Sequence, residues 1–113
     1  MSMTLGIYRG KAFDPYKSEF VDMIPVSFQR VWGKVWEKAI ADCGVRIFRD
    51  CMDFTIQQIP EVLSELSRVL DWVRINGGGD TVYVTERIRD ELTPFLTDFY
   101  AAHKDEEYWF SLG

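Results

Sequence analysis

The chain has 113 residues, 47% apolar, 27% charged and 15% aromatic, a balance that excludes disorder and collagen-like repeats and leaves room for one domain, residues 1–113. A chain of this length withdraws roughly two thirds of its unfolded surface from water, enough for a core without staples. Thirteen basic against eighteen acidic side chains give a net charge of −5, which argues against nucleic acid, whose phosphates need surplus cations, and favours a basic protein partner.

Leu5, Ile7 and Tyr8 before Gly10 predict a short opening strand. Asp14 followed by Pro15 has the pattern of a helix cap and first turn, and Tyr16, Phe20, Met23 and Ile24 then share one helical face up to Pro25. From Val26 through Phe28, Val31, Trp32, Val35, Trp36, Ala39, Ile40 and Cys43 the three-four spacing predicts an amphipathic helix that Gly44 stops. Residues 45–48 and 54–56 are beta-prone, as a hairpin or as separate strands, although 45–48 also suits a helix extension.

Pro60 opens a helix whose stripe is Ile59, Val62, Leu63, Leu66, Val69, Leu70 and Val73, closed by Asn76-Gly77. Gly77-Gly78-Gly79-Asp80 reads as a turn, Thr81-Val82-Tyr83-Val84 as a last strand and Thr85 as a cap. Ile88, Leu92, Phe95, Leu96 and Phe99 continue at helical spacing, kinked or divided at Thr93-Pro94. The expected fold is α+β: about four helices packed on a small sheet of three to four short strands.

Cys43 and Cys51 are too few for a disulfide scaffold and lack metal-site spacing, so reduced thiols in a cytoplasmic protein are expected, with no metal and no cofactor. No apolar run reaches membrane-spanning length. A nucleophilic pair would need His103, the single histidine, with one of the thiols; acidic neighbours of Cys51 disfavour its thiolate, and no catalytic residue is assigned. The three glycines lack the lysine of a phosphate loop.

Charge is uneven: residues 1–49 hold eight basic and five acidic side chains, residues 50–113 five and thirteen. Recognition is therefore expected in the acidic half. On the helix after Pro60, Glu61, Glu65, Arg68 and Trp72 form a row off the apolar stripe. Glu61, Glu65, Asp71 and Trp72 are the first candidate surface, either an indole anchor with a charged rim or, equally, a Trp72 covered by a neighbouring element or the C-terminal tail. Asp105, Glu106, Glu107 and Trp109 are the second. Reversing charge at Glu61 and Glu65 is expected to weaken binding and leave the fold intact.

In its Leu5-Gly6-Ile7-Tyr8 opening, its aromatic helix with Val31-Trp32-Gly33-Lys34, its Asp53-Phe54-Thr55 segment running into Ile59-Pro60-Glu61-Val62-Leu63 and its acidic end, the chain resembles the small acidic immunity proteins of bacterial polymorphic-toxin and contact-dependent growth-inhibition systems. The resemblance implies a non-enzymatic inhibitor that binds a cognate toxin domain, often a basic nuclease. Two other readings stand beside it: a small enzyme or small-molecule-binding domain with a carboxylate-lined pocket around Asp50, Asp53 or His103, and a homodimer built on exposed aromatics.

Overall fold

The computed structural model describes residues 2–14, 16–78 and 80–113. Four antiparallel strands, β1 (Ser2–Arg9), β2 (Glu19–Phe28), β3 (Asp53–Thr55) and β4 (Tyr108–Leu112), form one sheet in the order β2-β1-β4-β3. The strand from the far end of the chain thus sits beside the first one, with Leu5 opposite Leu112 and Ile7 opposite Phe110. Its sequence, Tyr-Trp-Phe-Ser-Leu, alternates in the two-residue period of a strand with one covered face: Tyr108, Phe110 and Leu112 are buried, Trp109 and Ser111 only partly so.

Three helical segments cover one face of this sheet. α1 spans 29–43 as an α-helical start (Gln29–Val31), a π-helical turn (Trp32–Trp36) and an α-helical end (Glu37–Cys43), and Gly44 stops it at φ +66°. Trp32 and Trp36 stack within the wide turn, centroids 5.4 Å apart. α2 (Ile59–Asn76) starts with Pro60 in its first turn and ends at Gly77, φ +66°, whose N–H returns to the Val73 carbonyl. α3 spans 81–103, again with a π-helical middle, Arg87–Leu92, ahead of Pro94. Leu5 and Ile7 of β1, Phe54, Phe110, Trp36, Leu66 and Leu92 meet in one core. The result is one compact α+β domain with three continuous helices rather than about four.

Three expectations are corrected here. Residues 16–18 form a turn and β2 follows through Phe28, so among the described residues no helix precedes Gln29, and Val26 and Phe28, expected in the next helix, are strand: the Asp14 carboxylate accepts from the Tyr16 N–H and its carbonyl from the Lys17 and Ser18 N–H groups. The expected first helical residue, Pro15, lies outside the described residues, as does Gly79. Second, 81–84 is helix despite its β-branched residues, because Val84 joins Ile88, Leu92 and Leu96 in the core at four-residue spacing. Thr85 accordingly caps nothing, and Leu92 and Thr93 both keep right-handed helical angles, so α3 does not divide at Pro94. Third, of the two beta-prone stretches only Asp53–Thr55 is a strand; 45–48 is irregular chain anchored by buried Val45 and Phe48.

Candidate functional site

Pairing divides the paired strand residues between two faces. Leu5, Ile7, Phe54, Phe110 and Leu112 point into the core, and Phe99 of α3 meets Phe110 and Tyr108 edge-on at 5.4 and 5.0 Å. The opposite face carries Tyr8 of β1, Phe20 and Met23 of β2, Trp109 of β4 and Asp53 and Thr55 of β3. Tyr8 opposes both Phe20 and Trp109, and the 10–18 connection folds Phe13 over the pair, 4.9 Å from Tyr8 and 6.4 Å from Trp109.

Among the described residues no helix covers this aromatic cluster. Phe20 remains 54% exposed and Met23 51%, and Tyr16 near the tip of the hairpin is 95% exposed. Gly6 makes room for it: a Cβ there would come within 3.0 Å of the Tyr8 ring, which lies flat along its own strand. A contiguous apolar patch of this kind on a folded domain is characteristic of a docking surface.

One end of the face is acidic. Asp105, Glu106 and Glu107, all exposed, form the turn between α3 and β4. Gln57 ties this turn to the start of α2 by donating to the Lys104 carbonyl, 3.3 Å. Glu107 and Trp109 then share a notch of about 290 Å³ with Lys11, Thr55 and Gln57. Of the second set, Glu107 and Trp109 are thus brought together, while Asp105 and Glu106 lie in the adjoining turn, Glu106 paired with His103.

The first set is divided. Glu65 is buried, 4% exposed, and its carboxylate accepts from three successive backbone N–H groups, Arg46, Ile47 and Phe48, at 2.8 to 3.2 Å. Arg68 donates to the Cys43 carbonyl, 2.8 Å, and the half-buried Trp72 indole donates to Asp42, 2.8 Å. The row along α2 is thus a seam that binds the helix to the end of α1 and to the 45–48 loop. This corrects the expectation of an exposed row: Glu65 and Trp72 are engaged internally, and charge reversal at Glu65 would disrupt the loop instead of leaving the fold intact. Glu61 and Asp71 stay exposed, Asp71 next to Arg74 at 3.9 Å.

The residues named for a small-molecule site fall in three places. Asp50 borders a groove beside α1, Asp53 lies on the bare sheet face, and His103 at the end of α3 packs on Phe99 and pairs with Glu106. Burial pushes the Cys43 thiol up, and the Asp50 carboxylate, which accepts from Cys51 Sγ at 3.5 Å, does the same to Cys51. Both shifts oppose thiolate chemistry. Among the described residues no three His, Cys, Asp or Glu side chains are grouped to hold a metal ion, and no helix is long and apolar enough to cross a membrane.

Tyr8, Phe13, Phe20 and Met23 were not singled out by sequence pattern. The alternation of Tyr108 to Leu112, which turns Trp109 away from the core, is the signal that points to them. Compared with protein-family models, curated proteins and solved structures, the chain matches none.

Proposed function

We propose that this domain is a protein-binding module of the immunity kind, which docks a cognate toxin domain of basic character on the face of its sheet that carries Phe20 and Met23. The observation that carries this reading is an apolar cluster in which Phe20 and Met23 lie open to solvent beside half-buried Tyr8, Phe13 and Trp109. An apolar centre of this type supplies the anchors of an interface. The adjoining Asp105, Glu106 and Glu107, within a chain of net charge −5, speed encounter with a cationic surface. Glu61 and Asp71 on α2 contribute long-range attraction to the same partner.

The test is recovery of a stoichiometric partner from native cells, followed by assay of whether the protein abolishes that partner's toxicity. Phe20→Glu with Met23→Glu is expected to weaken the complex at least about ten-fold and to abolish protection. Glu61→Lys with Asp71→Lys is expected to change mainly the association rate and its salt dependence. Full protection by the Phe20 and Met23 double variant, or turnover of a small compound by the protein unaided, overturns the reading.

A further inference from the structure

The loop that Glu65 holds in place forms one side of a groove of about 460 Å³ whose other side is α1. Trp32, Ile40 and Val45 give it apolar walls, and Glu37, Arg49 and Asp50, all exposed, bring charge to it. We propose that this groove receives a lysine or arginine side chain of the partner polypeptide, its aliphatic stem against the apolar wall and its cationic head between Glu37 and Asp50. The proposal rests on the protein-docking reading above and adds a specific anchor to it.

Four observations converge on that occupant. The charged lining is two carboxylates to one guanidinium, and among the described residues none of the three forms an ion pair within the protein. Donors for an anionic occupant are few: the N–H groups of 46–48, which would otherwise make an anion-binding concavity, are spent on Glu65, so the side-chain donors among the lining residues reduce to the Arg49 guanidinium and the Trp32 indole N–H. The volume lies in the range of small-ligand clefts, and a wall of Trp32, Ile40 and Val45 below a carboxylate rim matches a side chain that is apolar along its length and charged at its tip. Finally, Asp50 is three residues from Asp53, which sits on the bare sheet face in the edge strand β3. That is no more than about 10 Å of chain, so a partner seated on the sheet and passing its β3 edge reaches the groove.

The experiment uses amide NMR spectra of the intact protein titrated with N-acetyl-arginine amide and with its neutral counterpart, N-acetyl-citrulline amide. Saturable shifts are expected at Gly44, Val45 and Arg49 with the arginine probe, and binding of the citrulline probe at least about ten-fold weaker. Glu37→Gln and Asp50→Asn, both at exposed positions, are each expected to weaken the arginine probe roughly five-fold. No saturable shift, equal affinity for the two probes, or shifts spread over surface carboxylates remote from the groove overturns the proposal. Undiminished partner binding by Glu37→Lys with Asp50→Lys overturns it as well. Because the probe needs no partner, its failure is a separate result from failure of the sheet-face test.

Discussion

Both faces of the sheet carry large aromatic side chains, and these have different fates. On the inner face Phe110 is fully buried, stacks on Phe54 at 5.1 Å and meets Phe99 edge-on. On the outer face Phe20 touches Tyr8 at 5.7 Å and leaves half of its surface in water. Hydrophobic stabilisation follows area removed from water, so the inner face holds the fold together while the outer face contributes little to it. Apolar surface that stability does not need is what natural surfaces keep small, and this makes the outer face the place to test for docking.

The contrast is most directly broken by truncating one aromatic on each side. Phe110→Ala is expected to cost about 3–5 kcal/mol, because the void it leaves is enclosed by Phe54 and Phe99. Phe20→Ala is expected to stay within about 1 kcal/mol. Urea denaturation with an unchanged slope measures both, and similar losses would mean that the outer face is packed in solution.

The Glu65 seam belongs with the inner face in this respect. Glu65→Ala strands the Arg46, Ile47 and Phe48 N–H groups and is expected to cost about 2–4 kcal/mol, with faster amide exchange confined first to 46–48. Glu65→Gln keeps one acceptor oxygen and is expected to lose about half as much. An alanine variant as stable as the parent would show that the loop finds other partners.

Those two regions also explain what the sequence made legible. The stripe of α2 and the glycine stops of α1 and α2 are plain in the pattern, whereas the stripe read from Val26 runs across the end of β2: Val26 and Phe28 are strand, and α1 starts at Gln29. β2 is disguised by its bulges. Register shifts leave Val21 and Val26 without a partner in β1, so Phe20 and Met23 share the outer face three residues apart, which is the spacing of a helix. β4 is missing from the expected strands, because the acids before it hide the alternation of Tyr108 to Leu112.

The site divides along the same line. Asp105, Glu106, Glu107 and Trp109 stand out in the sequence because charge and aromaticity are properties of composition. Glu65 was misplaced because its burial depends on a loop 17 to 19 residues away in sequence. A helical wheel shows that Glu65 is off the main stripe, but it cannot show that the end of α1 turns back over that side.

A smaller change sharpens the picture of the outer face itself. Gly6→Ala puts a methyl group against the Tyr8 ring, which must tilt away from Phe13 and Phe20. The expected cost is about 1 kcal/mol, since the obstacle is a movable ring and not backbone. Binding should fall more than stability does, read by comparing partner affinity with the urea midpoint of the same variant. Equal, small effects on both would place Tyr8 outside the interface.

The smallest expected effect lies where the two faces meet. Cys51 has φ +62°, its N–H donates to the Leu112 carbonyl at 2.9 Å, and its thiol donates to Asp50 beside the groove. Asp50 raises the thiol pKa, so the thiolate fraction at any pH below that value is lower than for an ordinary exposed cysteine. Asp50→Asn removes the charge and lowers the pKa, and iodoacetamide alkylation of Cys51 at pH 8 should accelerate about three-fold. Cys43, whose thiol is raised mainly by burial, should keep its rate and serve as the internal reference. Acceleration at Cys51 alone would show that the rim joining β3 to the groove is as fixed as the inner face. An unchanged rate would show that Asp50 does not hold the thiol in solution, leaving the rim closer in character to the open side of the sheet.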